Sequence, residues 1–312
     1  IKMIKKYFSN ELVKGGLIFL ILVNIFNFLN FLYHFIIARV LTPADYGILV
    51  ALFSIIYLFG VPSEAIQNIS SRITSKLTVK KEDSKIKYFI LKSLNKGFFY
   101  SLIMFIILSI ISIPLGLFLK INPFLIILTN SLIFFSFLSP IPRGVLQGKK
   151  KFFLLGTSLV TESLLRLIFS TILVIMGLKV FGAVFGVLIG SITGLVISML
   201  FIKKIINKTE EKENFQGIYK FSIPFFVSTL VVLLLLSLDT LLARRFFSPE
   251  DAGKYAVLST LGKVIFFGTV AIGKSMFSSV SENDEKNNDT FNTFKKSIEV
   301  ILILSIFILS LY

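Results

Sequence analysis

Residues 37–47 read IARVLTPADYG, and residues 242–253 read LARRFFSPEDAG. The two segments align when one residue is inserted. Each contains a hydroxyl residue, a proline and an acid in the same order, namely Thr42, Pro43, Asp45 and Ser248, Pro249, Asp251. A hydroxyl side chain at the N-cap, a proline in the first turn and an acid three residues after the cap favour the start of a helix. The sequence therefore predicts two equivalent helix starts and an internal repeat.

Long apolar segments surround both copies of this motif. Of the 312 residues, 55% are hydrophobic, and the mean hydropathy is +0.87 although the formal net charge is +16. Soluble domains rarely combine these values, whereas apolar runs of about 20 residues can cross a bilayer as helices. The sequence predicts an all-α integral membrane protein. Nine spans are expected, at roughly 15–38, 43–68, 97–119, 122–142, 154–178, 180–202, 220–243 and 249–279, with the ninth beginning near residue 297.

The basic residues indicate the orientation of these spans. If the N-terminus is cytoplasmic, most of the 33 Lys and Arg residues fall in loops on the cytoplasmic side. Short loops rich in Lys and Arg favour that side, so a multi-pass protein of the cell (plasma or inner) membrane with a cytoplasmic N-terminus is predicted. The basic residues are scattered and have no aromatic platform, so nucleic acid is not expected as a partner.

The chain contains no cysteine and one histidine, His34. This composition excludes disulfides, thiolate metal sites and histidine metal clusters. No catalytic residue, metal or cofactor is predicted, and a membrane-embedded sugar polymerase or ligase is disfavoured because no large loop or cluster of carboxylates and histidines is found. The sequence stops at Tyr312 inside an apolar run, so it is interpreted as part of a longer protein.

The two cap motifs lie six predicted spans apart and run in the same direction across the membrane. This placement predicts two six-helix bundles related by a parallel repeat, an arrangement used by alternating-access transporters. Residues 1–202 are predicted to form the N-terminal lobe and residues 203–219 a cytoplasmic linker. Residues 220–312 are expected to form a truncated C-terminal lobe of three helices, the last of them incomplete, which gives about nine helices in all.

Three motifs carry a resemblance to a known family: ARVLTPADYG at 38–47, RGVLQGKKKF at 143–152 and SPEDAGKY at 248–255. In these segments the chain resembles the polysaccharide and oligosaccharide flippases of the multidrug/oligosaccharidyl-lipid/polysaccharide exporter superfamily. The resemblance implies two lobes around a central cavity, which flip a lipid-linked (polyprenyl-diphosphate) oligosaccharide from the cytoplasmic to the outer leaflet for polysaccharide biosynthesis. A multidrug or cation antiporter and a cell-wall precursor lipid flippase of the same superfamily are the alternatives.

A stripe of polar residues follows the first predicted span in steps of three or four: Asn24, Asn27, Asn30 and His34. At 100° per residue, this spacing confines them to about a third of the helix circumference. Such side chains are costly against acyl chains, so we expect them either to hydrogen-bond to neighbouring helices or to line a wet cavity that contacts substrate.

Cations inside or beside the spans are candidates for holding substrate phosphates. These are Arg39, Arg166 and Lys263. Glu162 precedes Arg166 by four residues, the spacing and order that favour an ion pair along a helix. The sequence therefore predicts that Glu162 neutralises Arg166, or alternatively that the Arg166 guanidinium holds a substrate phosphate.

Two further groups of candidates concern coupling and gating. His34 corresponds to Asp239 in the repeat, and these two residues with Glu162 are candidates for coupling to a proton or sodium ion, with ordinary packing polarity as the alternative. Arg143 and Gln147, at the cytoplasmic end of the fourth span, are candidates for a gate or alternatively a basic anchor. In the sixth span, a glycine ladder in steps of four predicts close helix packing: Gly182, Gly186, Gly190 and Gly194.

Overall fold

The computed structural model describes residues 11–207, 209–213 and 222–263, together with single positions between 295 and 306. These residues contain helices and no strand, and five segments are long and apolar enough to cross a membrane. The predicted all-α membrane class is therefore confirmed. The ninth predicted span and the end of the eighth lie outside the described ranges.

The described ranges up to residue 263 contain eleven α-helices. Their bounds are α1 Glu11–Val40, α2 Pro43–Val79, α3 Asp83–Leu119, α4 Pro123–Asn130, α5 Ile133–Leu138, α6 Pro140–Gly148, α7 Phe152–Leu173, α8 Lys179–Phe201, α9 Lys203–Ile206, α10 Ser222–Phe246 and α11 at 249–263. Helices α4 to α6 lie along one apolar segment, which contains the fourth predicted span. The chain divides into two compact units, Ile1–Lys254 and Tyr255–Tyr312. The predicted lobe boundaries at residues 202 and 219 remain predictions.

The connection between the second and third spans differs from the sequence prediction. Residues 69–96 were expected to form a loop, but α2 continues to Val79 and α3 begins at Asp83. The turn between them contains Lys81 with a positive φ of 61°. The loop was predicted because hydropathy falls where the charged residues begin. That prediction is wrong, since this segment has no glycine or proline to end a helix.

The two cap motifs have the same local geometry. Thr42 Oγ1 accepts a hydrogen bond from the Asp45 backbone N–H at 3.2 Å and donates to Asp45 Oδ2 at 2.9 Å. Ser248 Oγ accepts from the Asp251 backbone N–H at 3.1 Å and donates to Asp251 Oδ2 at 2.6 Å. The predicted helix starts of α2 and α11 are therefore confirmed, and the repeat extends to individual hydrogen bonds.

The repeated motifs also pack against each other. The backbone of Gly253 lies so close to Gly47 and to the Pro43 carbonyl that a Cβ at position 253 would overlap that carbonyl. Further along the same helices, Ser54 Oγ of α2 and Thr240 Oγ1 of α10 are 2.5 Å apart. These contacts hold the N-terminal half of α2 against the C-terminal part of α10 and the start of α11.

Helices α7 and α8 form an antiparallel hairpin. They are joined by a π-helical turn, Val174–Leu178, in which Gly177 adopts a φ of +93°. The predicted glycine ladder of α8 faces α7, with Gly186 against Ser170, Gly190 against Arg166 and Gly194 against Glu162. The packing role predicted for this ladder is confirmed, because these contacts leave no room for a Cβ.

Candidate functional site

Arg166 lies in the interior of α7, 14 residues after Phe152, or about 21 Å at 1.5 Å per residue. Its guanidinium lies over the ring of Tyr33 in α1, 5.2 Å from the ring centroid. Tyr57 of α2 is within the range of electrostatic interaction with Arg166. Three helices therefore meet around one cation at membrane depth.

The polar groups of this cluster are incompletely satisfied. Arg166 Nε is buried, and its N–H donates a hydrogen bond to no group in the described ranges. No carboxylate there forms an ion pair with this arginine. On α1, one turn before Tyr33, Asn30 Oδ1 is also buried without a hydrogen-bond donor among those residues. A cation and an amide with unused hydrogen-bonding capacity at this depth can take a polar, anionic ligand.

The ion pair predicted between Glu162 and Arg166 is not formed. Glu162 Oε2 instead pairs with Arg143 Nη2 of α6, and these side chains are only 20% and 11% exposed. Gly194 of α8 provides the space, because a Cβ there would contact both partners. Spacing along α7 alone could not reveal this, since it does not show which cation a neighbouring helix brings to Glu162.

We expect Glu162→Gln to lower the melting temperature of the purified protein by roughly 5–10 °C. The substitution leaves the Arg143 charge mostly buried without a counterion, and breaking a buried pair costs about 3–5 kcal/mol. Thermal unfolding in detergent measures the effect, with Glu210→Gln, at an exposed linker position, as the control. Equal melting temperatures for the two variants would show that the pair does not stabilise the fold.

The predicted polar stripe of α1 contacts α2 at its C-terminal end. His34 Nδ1 lies 3.2 Å from Tyr46 Oη, and the His34 ring contacts the ring of Phe53 with centroids 5.3 Å apart. Asn27 is exposed and lies seven residues earlier, so it is on nearly the same side of the helix, two turns closer to its N-terminus. Asn24 is exposed as well, and its amide donates to the Leu20 carbonyl at 2.8 Å.

The remaining substrate and coupling candidates are spread through the fold. Arg39 is exposed at the end of α1, with its guanidinium 4.0 Å from the ring centroid of Phe35. Asp239 is half-buried in α10, and Lys263 is buried at the end of α11, in the second compact unit. Coupling between His34 and Asp239, and substrate contact at Lys263, remain predictions.

The two gate candidates tie α6 to its neighbours. Arg143 pairs with Glu162 of α7, as described above. Gln147 Oε1 accepts a hydrogen bond from Gln67 Nε2 of α2 at 3.0 Å. Lys149, just after α6, pairs with Asp83 at the start of α3, with 2.5 Å between the charged atoms. These contacts connect α6 to α2, α3 and α7, and the gating role of Arg143 and Gln147 remains a prediction.

Sequence reasoning missed Tyr33 and Tyr57 as members of the arginine cluster. The sequence feature that could have indicated them is a tyrosine inside an apolar span, because its hydroxyl needs a polar neighbour there. The neighbour could not be identified in advance, because Tyr33, Tyr57 and Arg166 lie on three different helices.

Residues 12–277 match the sequence model of a family described as "Polysaccharide biosynthesis protein". No curated protein sequence matches this chain significantly. Among solved structures, an inward-facing multidrug resistance MATE family transporter of the MOP superfamily is similar with a TM-score of 0.68 at 13% identity, over 88% of this chain and 67% of that one. An outward-facing MATE transporter gives a TM-score of 0.57 at 16% identity, over 95% of this chain and 69% of that one.

A third similar structure is a MOP superfamily transporter from Pyrococcus furiosus Vc1 (DSM3638), described as having a binding pocket of reverse polarity that suggests a different function. Its TM-score is 0.59 at 14% identity, over 95% of this chain and 68% of that one. At these identities the similarity shows the fold. The chain spans about two thirds of the length of each of these three structures.

Proposed function

Because the chain belongs to the polysaccharide biosynthesis protein family, within the transporters of the MOP superfamily, we propose that it helps to flip a polyprenyl-diphosphate oligosaccharide from the cytoplasmic to the outer leaflet. The observation that carries this proposal is Arg166, a cation at membrane depth that has no carboxylate partner in the described ranges. A diphosphate crossing the bilayer needs such a cation, and the guanidinium can hold it through two parallel hydrogen bonds.

The polar stripe of α1 supports a sugar as the remainder of the substrate. Asn27 and Asn24 are exposed on α1, and Asn30 has an amide oxygen with unused capacity. Amide side chains both donate and accept, so they match the hydroxyl groups of a sugar. The proposed site therefore combines a phosphate-binding group, Arg166, with sugar-binding groups on the neighbouring helix.

The proposed transport cycle is alternating access between the two repeats. The contacts of Gly47 with Gly253 and of Ser54 with Thr240 close the outer side, so this arrangement would receive substrate from the cytoplasm. Separation of α2 from α10 would then release substrate outward. In this proposal His34 and Asp239 are the candidates for coupling the cycle to a proton or sodium ion.

A cation antiporter is the second candidate, favoured by Glu64. This side chain is exposed on α2, and none of the described cations pairs with it. Glu64 lies 21 residues after Pro43, or about 32 Å along the helix, so it is near the inner surface, where water can solvate it. By contrast, Arg166 lies deeper, and Glu162 is neutralised by Arg143, which favours an anionic substrate.

Complementation with the full-length protein distinguishes the two candidates. Cells that lack their own sugar-lipid flippase should regain surface polysaccharide if the proposal holds, and proteoliposomes should flip a polyprenyl-diphosphate oligosaccharide. Resistance to cationic drugs without either effect would overturn the proposal in favour of the antiporter. Cells expressing an Arg166→Ala variant at the same membrane level serve as the inactive control.

A further inference from the structure

A pocket of about 300 Å³ lies between α2, α3, α5 and α6, and no residue of the Arg166 cluster lines it. Its walls are mainly apolar, with Ile66, Ile69 and Ile141 among them. The volume is at the lower end of the range of about 300–1,000 Å³ in which small ligands bind. The proposed transport cycle assigns no role to this pocket.

The polar lining of the pocket lies at the level of lipid headgroups. Helix α3 ends on the outer side at Leu119, and a hydrocarbon core of roughly 30 Å takes up its last 20 or so residues. Tyr100 is therefore expected at the inner boundary of the core, with Lys96 one turn further into the headgroup region. Exposed aromatic residues typical of a membrane interface cluster here: Phe98 is 53% exposed, Phe99 59% and Tyr100 54%.

Lys96 is the charged residue of this lining. Its side chain is exposed, and no carboxylate pairs with it in the parts of the chain that the structure describes. Two other lysines of these helices have partners within the protein: Lys149 pairs with Asp83, and Lys92 donates a hydrogen bond to the hydroxyl of Tyr88 at 3.1 Å. Lys96 is thus available to an anion at the mouth of an apolar pocket, with Ser93 beside it in the lining.

We propose that this pocket binds an anionic phospholipid of the cytoplasmic leaflet. An acyl chain occupies the apolar space against Ile66, Ile69 and Ile141, and the headgroup phosphate pairs with Lys96. The hydroxyls of Ser93 and Tyr100 can donate to the phosphate or ester oxygens. A lipid bound here joins α3 to α2 and α6 on the cytoplasmic side, in addition to the ion pair between Lys149 and Asp83.

The choice of a membrane phospholipid over the transported lipid rests on two observations. The pocket shares no residue with the Arg166 cluster, where the proposed substrate phosphates bind. It also lies beside the exposed aromatic residues of α3, which are typical of a helix face in contact with the bilayer. Anionic lipids are attracted to clustered basic residues at this surface.

Native mass spectrometry of the purified full-length protein tests the headgroup contact. The protein is titrated with phosphatidylglycerol and, separately, with phosphatidylcholine of the same acyl chains. We expect Lys96→Ala to weaken the tightest phosphatidylglycerol binding about fivefold, the contribution of one lysine near an anionic surface, and to leave phosphatidylcholine binding unchanged. Lys204→Ala removes an exposed lysine of α9 and serves as the matched control. Equal binding by the two variants would overturn the proposal.

A second pair of variants tests the acyl-chain contact. Ser93→Trp fills the pocket and retains Lys96, so it is expected to remove the tight phosphatidylglycerol site, whereas Ser93→Ala removes one hydroxyl without filling the pocket and should weaken binding much less. Retention of that site in Ser93→Trp would contradict the proposal. Stronger binding of polyprenyl phosphate than of phosphatidylglycerol, lost in the same variants, would also overturn it by assigning the pocket to the transported lipid. Failure of oligosaccharide flipping in proteoliposomes would overturn the transport proposal and leave this lipid site standing.

Discussion

Arg166→Ala is expected to reduce flipping of a polyprenyl-diphosphate oligosaccharide at least thirtyfold. Removing one partner of a desolvated charge pair costs about 2–5 kcal/mol, and Arg166 is the cation of α7 that we propose to hold the diphosphate. Arg166→Lys should retain part of the activity, because lysine keeps the charge but cannot form two parallel hydrogen bonds to a phosphate. Flipping in proteoliposomes containing equal amounts of protein gives the comparison.

Arg245→Ala is the matched control for this substitution. Arg245 is also an arginine stacked on an aromatic ring, 5.1 Å from the centroid of Phe118, but it lies in the last turn of α10. Its loss should change flipping by less than about twofold. Similar activities of Arg166→Ala and Arg245→Ala, at similar melting temperatures, would show that Arg166 does not hold the substrate.

Gly253→Ala is expected to open the outer side of the protein. The added Cβ would overlap the Pro43 carbonyl, so the two cap motifs can no longer remain in contact. Overpacking of this kind costs about 1–3 kcal/mol, which moves a conformational equilibrium roughly 5- to 150-fold. We therefore expect both greater exposure of the α2–α10 interface from outside and slower transport.

Cysteine labelling can detect this opening, since the 312 residues contain no native cysteine. Ser54 is buried against Thr240, so a Ser54→Cys variant should react slowly with a membrane-impermeant thiol reagent added outside the cell. Combining it with Gly253→Ala should increase the labelling rate at least fivefold. Gly262→Ala, at a helix position with open space around it, should leave the rate unchanged. Equal rates in the two backgrounds would contradict a closing role for the contact between the motifs.

The features that could be predicted from the sequence are those set by neighbouring residues. The caps at Thr42 and Ser248 depend on residues three positions away, and the structure shows both. The glycine ladder of α8 was also predicted as a packing surface, because spacing in steps of four places all its members on one side. The helix that packs against this surface was not specified by the spacing.

The features that could not be predicted depend on which helices become neighbours. Glu162 has a cation four residues away on its own helix, but α6 brings Arg143 closer once Gly194 removes a side chain between them. Arg166 is therefore not paired with Glu162, and its guanidinium lies over the ring of Tyr33. The extension of α2 to Val79 was missed for another reason. A hydropathy pattern identifies the part of a helix that lies in lipid, but it does not show whether the helix continues into water.

The proposed transport path requires the polar stripe of α1 to face a hydrophilic passage. The most direct test is labelling of Asn27→Cys in the full-length protein by a membrane-impermeant thiol reagent applied from the cytoplasmic side, with Phe28→Cys as the control. Phe28 is 59% exposed and adjacent in sequence, but it points about 100° away around the helix. We expect rapid labelling at position 27, protection by added lipid-linked oligosaccharide, and slow labelling at position 28. Slow labelling at both positions would place the stripe against acyl chains and contradict the proposed passage.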